Sequence, residues 1–348
     1  MYRPILIAAL AALAAAPMFA QSNAEQVYKN ITALKGTPAD QLIPAMQFIS
    51  ASLGVECSAC HVQGNPAADD KPMKKTARSM IEMTLALNKD HFGGRLQVSC
   101  NTCHNGHEHP NAIPPVLESD APMKKEAPAA RPSGPQPAAD DVLQKYLAAV
   151  GGADALKKTT TRIEKGVILA GGMESPIELY LKAPNKRISI SKMGNSDSMT
   201  AFDGTKGWMG STGRPAREMS EAESAAAGLD AQFALALSLK ELYPQLRRGR
   251  PDTVNGVECE VLQGTAPGKP LVRLYFDKQS GLLVRMQRYA DTPVGRTPTQ
   301  IDYADYRDSD GAKIPYRWTL SRPNGRFTIQ IKEVQNNAPV DDAKFSKP

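Results

Sequence analysis

Two copies of one five-residue pattern lie in the first third of the chain, and their residue types could attach a metal-bearing ring. One copy runs from Cys57 through Cys60 to His61, and the other runs from Cys100 through Cys103 to His104. In a Cys-x-x-Cys-His run, the two thiols can bond to the vinyl groups of a porphyrin while the adjacent imidazole binds the iron. The sequence therefore predicts two covalently bound haem c groups, attached by these four cysteines and ligated by His61 and His104.

Paired cysteines also occur in redox dithiols and in zinc sites, so the spacing has to decide between the alternatives. Residues 61–99 separate Cys60 from Cys100, a gap well beyond the roughly 15–20 residues between the halves of a four-cysteine zinc site. The histidine that ends each copy also favours haem. The fifth cysteine, Cys259, alternates with Val257 and Val261, which predicts a buried small apolar residue rather than a nucleophile.

The first twenty residues are typical of a secretory signal peptide. Arg3 supplies one positive charge, an apolar stretch follows from Ile5 to Ala16, and small residues lead to Ala20, after which cleavage is predicted. Covalent haem attachment takes place outside the bacterial cytoplasm. The two features together predict a periplasmic or otherwise exported protein of the bacterial envelope.

Composition divides the rest of the chain into three predicted segments. A haem-binding domain over 21–115 is followed by a linker over 116–139 rich in proline and alanine, which has too few large apolar residues to fold by itself. A β-rich domain over 140–348 completes the chain. The 42 basic and 36 acidic residues give a net charge of +6, a mild excess that predicts no nucleic-acid binding and no strong adsorption to membranes.

Each Cys-x-x-Cys-His run follows a predicted helix and a turn. Thr37, Pro38 and Asp40 indicate a helix start, and Gly54 ends the apolar repeat that follows. Residues 75–89 form the second predicted helix, with glycines closing it. Fewer than one hundred residues make a marginal core, so we expect the two porphyrins to supply much of the interior of this unit.

The sixth iron ligands are less clear from spacing alone. Met46 lies on the first predicted helix, and a thioether sulfur is a soft neutral ligand that suits ferrous iron. For the second haem, Met80, Met83 and His91 all remain candidates. The histidines at 107 and 109 follow His104 too closely to reach the other face of the same ring. They could serve the other haem or be solvated, and we expect them to be solvated.

The segment from Val27 to Pro115 resembles the cytochrome c subunit of photosynthetic reaction centres. The stretches Leu42–His61 and Ala77–His104 carry the likeness, since each has a methionine-bearing helix, a turn and the Cys-x-x-Cys-His run. The resemblance implies Met46 as the axial ligand of the first haem and Met80 as that of the second. Family members usually carry four haems and a lipid-anchoring cysteine, whereas this sequence has two motifs and no such cysteine. Haem ligation therefore transfers, and a photosynthetic role does not.

Two irons ligated by histidine and methionine have no open position for a substrate, which favours electron transfer over enzymatic catalysis. The expected partners are redox proteins, including membrane electron-transfer complexes. The alternatives are a dihaem oxidoreductase such as a peroxidase, which needs a five-coordinate haem, and a lipid-binding carrier with a cytochrome appendage.

The C-terminal part has the period-two alternation of β-strands. Runs ending at Ile190, Phe276, Leu320 and Ile331 are separated by turn signals such as Asp-Gly and Ser-Gly. A short helix over 140–149 precedes them, and a helical insertion over 220–243 could cross the concave face of the sheet. The predicted fold class is thus multidomain, with a mainly α dihaem cytochrome c unit followed by an α+β domain built on a curved antiparallel sheet.

The C-terminal domain also weakly resembles the periplasmic lipoprotein carriers. The hairpin Leu274–Met286 and the tail Pro339–Phe345 carry this likeness. It implies a half-open barrel that could hold a hydrophobic ligand. The alternative is a β scaffold that docks the cytochrome unit onto a partner or an envelope surface.

Overall fold

The structure is a computed structural model that describes residues 22–110, 138–193, 196–323 and 325–347. Within these ranges, a helical unit (residues 22–110) precedes a β domain (residues 138–347) built on a large antiparallel sheet, which confirms the predicted fold class. The predicted signal peptide over 1–20 and residues 116–137 of the predicted linker lie outside the described residues. Among the helices that the structure describes, none is long and apolar enough to cross a membrane.

The helices fall into a haem-motif group and a group that belongs to the β domain. The first group comprises α1 (Ala24–Val27), α2 (Ala39–Leu53), α3 (Cys57–Cys60), α4 (Pro72–Phe92) and α5 (Cys100–His104). The second group comprises α6 (Ala139–Ala149), α7 (Gly152–Lys158), α8 (Glu221–Asp230) and α9 (Leu235–Leu242), with a 3₁₀-helix at Asp342–Phe345.

The two long helices of the helical unit occupy the predicted places with corrected ends. The N-cap of α2 is Pro38 rather than Thr37, and no side chain caps this end. Gly54 ends the helix in the left-handed conformation, as its position predicted. The second helix extends beyond the predicted 75–89 at both ends, because Pro72 suits a first turn and Gly93 provides the left-handed C-cap.

The β domain contains one sheet whose strands all pair antiparallel. The strands are β1 (Thr161–Ala170), β2 (Met173–Lys182), β3 (Lys186–Met193), β4 (Ser196–Phe202), β5 (Gly207–Ser211), β6 (Arg214–Glu218), β7 (Arg247–Arg248), β8 (Asp252–Val254), β9 (Val257–Gly264), β10 (Leu271–Asp277), β11 (Leu283–Thr292), β12 (Gly295–Ser309), β13 (Ala312–Arg322) and β14 (Gly325–Asn336). All four predicted apolar runs lie in strands of this sheet.

The strand order explains how the helical insertion crosses the sheet. The order is β6-β5-β4-β3-β2-β1-β14-β13-β12-β11-β10-β9-β7, with β8 also paired to β9. Consecutive strands therefore run outward from a central β1–β14 pair, and β6 and β7 lie at opposite edges although they are neighbours in sequence. Helices α8 and α9 connect these two edges and pack over the sheet, where Phe233 between them contacts Leu179 and Ile329.

The outer strands carry positive charge and proline. Strand β6 contains Arg214, Pro215 and Arg217, and β7 consists of Arg247 and Arg248. Proline has no amide hydrogen, and charged side chains at an edge disfavour pairing with another chain. Strands β6 and β7 are therefore poor templates for a further strand.

The two faces of the sheet have separate cores. Val142, Tyr146, Leu239, Met286 and Ile301 belong to the largest buried cluster, which joins the helices to β11 and β12. On the other face, a smaller cluster forms where the C-terminal tail covers β3 and β4. That second cluster contains Ile188, Ala201, Val340 and Phe345. The predicted apolar pair of Ile188 and Ile190 therefore faces the tail and not the helical insertion.

The helical unit packs onto the hairpin that joins β11 to β12. Val294, in the turn of this hairpin, lies in the same buried cluster as Leu42, Phe48 and Ile49 of α2. The Phe48 ring lies directly over the α-carbon of Gly295, and a Cβ added there would overlap the ring. An aromatic side chain seated on a glycine thus connects the two parts of the described chain.

This contact predicts an energetic coupling between α2 and the hairpin. Phe48→Ala should lower the free energy of unfolding by about 3 kcal/mol, since a buried phenylalanine loses its packing. Gly295→Ala should also destabilise the protein, but much less when Phe48 is already alanine, because the overlapping ring is gone. Denaturant unfolding of both single variants and the double variant measures the coupling. Ile43→Ala, on the exposed side of α2, is the control, and strictly additive effects would contradict the contact.

Candidate haem-binding sites

Each cysteine pair of the two motifs lies on a single helical turn. Helix α3 spans Cys57–Cys60 and α5 spans Cys100–His104, and residues three apart in a helix are neighbours on its surface. Cys57 and Cys103 are exposed, while Cys60 and Cys100 are half-buried. Burial is the main cause that raises the pKa of the Cys60 and Cys100 thiols. Each pair therefore presents one exposed and one half-buried thiol.

The histidine that ends each motif is oriented by a backbone carbonyl. Nδ1 of His61 lies 2.9 Å from the carbonyl oxygen of Pro66, and Nδ1 of His104 lies 3.0 Å from that of His107. A carbonyl oxygen can only accept, so Nδ1 is the protonated nitrogen in both rings. In the neutral ring Nε2 then carries the lone pair, which is the tautomer that ligates a metal while the other nitrogen donates to the protein.

The loop after the first motif is held by polar side chains from two directions. The side-chain Nδ2 of Asn30 donates to the backbone carbonyl of Ala67 at 2.6 Å and to Asp69 Oδ1 at 3.0 Å. Arg78 and Lys74, both on α4, contact the same Asp69 carboxylate at 2.9 and 3.1 Å. Hydrogen bonds from Arg78, Asn30 and Lys74 hold the pKa of Asp69 well below its usual value. These contacts fix the segment that contains the acceptor of His61.

The approach to the second motif depends on Asn88, a buried residue near the end of α4. Its Oδ1 accepts from the amides of Gln97 and Val98 at 2.9 and 3.0 Å, and its Nδ2 donates to the carbonyl of Val98 at 2.6 Å. Ser99 then starts α5, where its own amide donates to Thr102 Oγ1 at 3.0 Å. Asn88 therefore anchors the loop that delivers Cys100.

The two motifs lie close together at the C-terminal end of α2. The amide of Gly106 donates to the carbonyl of Ser52 at 2.8 Å, and a Cβ at Gly54 would overlap the Gly106 carbonyl. Glu108, two residues further on, is near enough to Cys60 to contribute to its raised pKa. The turn that follows the second motif thus packs against the segment that leads into the first.

The candidate axial ligands differ in their surroundings. Met46 is partly buried and packs against the helical core that Cys100 also contacts. Met80 and Met83 are 39% and 51% exposed on α4, and His91 is exposed near its end. The side chains of the histidines at 107 and 109 are exposed, as expected. Met46 and Met80 as ligands therefore stay predictions.

Sequence reasoning missed the residues that position the motif histidines. Asn30 and Lys74 donate to backbone carbonyls of the loop after the first motif, and Asn88 binds backbone groups of the loop before the second motif. For His104, the acceptor is the backbone carbonyl of His107. No local sequence signal marked Lys74 and Asn88 on α4 or Asn30 in its loop. The burial of Asn88 and Lys74 in α4 marks them only after the fold is known.

The donor set of the helical unit fits haem c. Paired thiols on one turn, a neighbouring imidazole with Nε2 available, and thioethers on the helices are the groups that attach and ligate this cofactor. Among the residues that the structure describes, five large apolar side chains of the helical unit are exposed, and they are Val27, Ile43, Met80, Met83 and Leu96. Such exposed apolar surface on a small unit is consistent with a large apolar group bound against it.

A separate cavity of about 520 Å³ lies in the β domain, between the helical insertion and the sheet. Its apolar lining includes Ile177, Leu179, Phe233, Met286 and Trp318. Hydroxyl side chains from β3 and β4 form another part of the wall, because these strands turn their polar faces inward. These residues are Ser189, Ser191, Ser198 and Thr200.

The charged groups of this cavity wall include a buried ion pair. Glu164 lines the cavity, and Arg162 Nη1 lies 3.7 Å from Glu164 Oε1. Burial raises the pKa of Glu164 in spite of this partner. The Arg162 guanidinium also lies over the ring of Phe233, 4.8 Å from its centroid, which ties the helical insertion to the first strand. The cavity is therefore apolar with a few fixed polar groups, as ligand sites commonly are.

Comparison with known proteins finds cytochromes that are similar to the N-terminal part of the chain. The family described as photosynthetic reaction centre cytochrome C subunit matches residues 8–148, which confirms the predicted resemblance. Cytochrome c-554 of Chloroflexus aurantiacus is 31% identical over 110 residues, covering 27% of this chain and 26% of that protein. The chain thus spans about a quarter of the length of this curated relative. The N-terminal part of the chain is therefore similar to cytochromes c.

The β domain is similar in fold to solved structures of low sequence identity. A DUF1329 family protein from Desulfovibrio piger has a TM-score of 0.44 and 15% identity, covering 61% of this chain and 98% of that one. A LolA superfamily protein from Nitrosomonas europaea has a TM-score of 0.42 and 12% identity, covering 61% and 99%.

The contacts of Asn88 predict a local effect on the loop before the second motif. Asn88→Ala should lower the free energy of unfolding by about 2 kcal/mol, because the amides of Gln97 and Val98 lose their acceptor. Hydrogen exchange at these two amides should also become faster. Asn65→Ala, an exposed asparagine in the other loop, is the matched control. Unchanged exchange at both amides in Asn88→Ala would show that this side chain does not hold the loop.

Proposed function

We propose that this protein is an exported dihaem c-type cytochrome that transfers electrons and does not act as an enzyme. The observation that carries the proposal is the repeated arrangement of Nδ1 of His61 and of His104, each bonded to a backbone carbonyl beside a one-turn cysteine pair. One such arrangement could be incidental. Two copies with the same tautomer and the same attachment groups favour two haem sites.

The proposed division of roles follows from the chemistry of each side chain. Thioether bonds from the four cysteines would attach the two groups, and the attachment residues are Cys57, Cys60, Cys100 and Cys103. When bound, haem c supplies an iron that takes up and releases one electron. His61 and His104 would ligate through Nε2, held in place by their acceptors. Met46 and Met80 would occupy the opposite faces, where a soft sulfur favours the reduced state.

Filled coordination supports electron transfer over the alternative of a dihaem peroxidase. A peroxidase needs an open iron position, whereas Met46 and Met80 would close both. Exposed attachment thiols at Cys57 and Cys103 are consistent with haem edges near the surface, where partners could exchange electrons. We propose redox proteins and membrane electron-transfer complexes as these partners, and the bacterial periplasm as the compartment.

The proposal predicts a different outcome for the two exposed methionines of α4. Met80→Ala should convert one of two low-spin haems to a five-coordinate form and remove about half of the methionine-to-iron absorption band. Met83→Ala, one helical turn away, should leave the spectrum unchanged. An optical redox titration of the exported protein, with haem counting by intact mass, measures both. A colourless wild-type protein would refute the cytochrome function, and a Met83 effect without a Met80 effect would refute the ligand assignment.

The cavity of about 520 Å³ favours a second function, the binding of a hydrophobic ligand by the β domain. Its size lies within the range of small-molecule sites, and its walls are mainly apolar with a few convergent polar groups. A long-chain acyl group or a similar apolar molecule would suit this lining. The competing role for the domain is that of a scaffold that docks the helical unit onto a partner.

Substitution of a small side chain in the cavity wall tests the second function. Ser191→Phe should fill part of the cavity and weaken binding of a fluorescent fatty acid at least tenfold. Ser211→Phe, on β5 and outside the cavity lining, should not change the binding. The measurement is a fluorescence titration of the full chain. A wild-type protein that does not bind the probe, or equal loss in both variants, would favour the scaffold role.

A further inference from the structure

The most unusual polar group of the helical unit is the buried ammonium of Lys74. Its Nζ donates to the carbonyl oxygens of Pro66, Ala67 and Ala68 at 2.9, 3.1 and 2.7 Å. The Asp69 carboxylate lies 3.1 Å from the same nitrogen, and the Lys74 side chain is only 9% exposed. Lysine is rarely buried unless its donors are paired. Here three consecutive carbonyls and a carboxylate surround it, so the loop is folded around this cation.

One of these carbonyls is also the acceptor of a motif histidine. The oxygen of Pro66 accepts from Lys74 Nζ and from His61 Nδ1, both at 2.9 Å. A carbonyl oxygen has two lone pairs and can accept both bonds. The cation therefore lies one hydrogen-bonded atom away from the ring of His61, on its Nδ1 side and away from Nε2, the nitrogen that would ligate the iron.

A shared acceptor changes the electronic character of the imidazole. A hydrogen bond from Nδ1–H to a strong acceptor makes the ring a better electron donor to its metal. The Lys74 ammonium draws electron density toward itself from the Pro66 oxygen and so weakens that acceptor. The His61 ring would therefore stay closer to a neutral imidazole, and the nearby positive charge would further disfavour the more positive, oxidised form of an iron that this ring ligates.

The second motif has a different arrangement around its acceptor. His104 Nδ1 donates to the carbonyl of His107 within a tight turn, where the His107 amide also donates back to the His104 carbonyl at 2.9 Å. Within residues 22–110, as far as the structure describes them, no lysine or arginine donates to the His107 oxygen. The two motifs repeat in sequence, yet their histidines are chemically unequal.

We propose that Lys74 is a positioning residue that holds the Pro66 acceptor of His61 and raises the redox potential of the first haem. The inference rests on the proposed function, because it needs His61 as an iron ligand. Lys74 does not touch the iron in this proposal and acts only through the Pro66 carbonyl and its own charge. Asp69 opposes that charge, and Arg78 partly offsets Asp69.

A redox titration of the holoprotein with two resolved haem waves tests the proposal. Lys74→Met should move one wave to a lower potential and leave the other unchanged. Lys74→Arg, which keeps a cation and several donors, should return that wave toward its wild-type position. Lys75→Met is the matched control, since this exposed neighbour on α4 removes the same charge without touching the loop. It should move neither wave.

A second variant tests the proposal if Lys74→Met impairs folding or haem attachment, through the direction in which it shifts the redox potential. Asp69→Asn leaves the carbonyl contacts of Lys74 in place and removes the opposing charge, so the same wave should move to a higher potential. No shift, a downward shift, or an equal shift of both waves would overturn the proposal. If Lys75→Met moved the wave as far as Lys74→Met does, the proposal would also be overturned. The loss of a positive charge on α4 would then explain the shift without the Pro66 contact. Absence of haem from the wild-type protein would instead refute the proposed function.

Discussion

The helical unit depends on one type of hydrogen bond, in which Nδ1 of a motif histidine donates to a backbone carbonyl. This bond selects the tautomer and the direction in which Nε2 points. Its acceptor lies in a loop that has no regular structure, so the loop must be fixed by other contacts. Lys74 and Asn30 do so after the first motif, and a tight turn with residues in the left-handed conformation does so after the second. Covalent attachment through cysteines then needs only a correctly placed turn of helix.

The β domain is subject to a different constraint, since both faces of its open sheet carry apolar side chains that must be covered. Helices that link opposite edges cover one face and leave a cavity beneath them, whereas the C-terminal tail covers part of the other. The helical unit contacts this sheet at the β11–β12 hairpin, where Phe48 meets Gly295. The same two strands carry Met286 and Ile301 into the cavity wall. The hairpin therefore joins two regions with unrelated chemistry through one rigid element.

Local features of the sequence predicted the local features of the structure. The Cys-x-x-Cys-His runs, the glycines that end the two long helices and the period-two runs each depend on neighbouring residues, and the sequence predicted them. The role of Lys74 could not be predicted in this way, because it depends on backbone carbonyls that come close to Lys74 only in the folded chain. Ile188 and Ile190 predicted a strand correctly, but not its buried face, since alternation does not say which side the tail will cover. The ligand pairing of Met46 and Met80 comes from resemblance and not from spacing.

The arginines and prolines at the two outer strands have a consequence for how other molecules can meet this domain. The exposed backbone of an edge strand can pair with an extended peptide through main-chain hydrogen bonds. Such pairing depends little on the side chains of the peptide. Pro215 and the paired guanidinium groups of Arg247 and Arg248 suppress that route. At these two strands, recognition through side-chain chemistry is thereby favoured over recognition through backbone pairing.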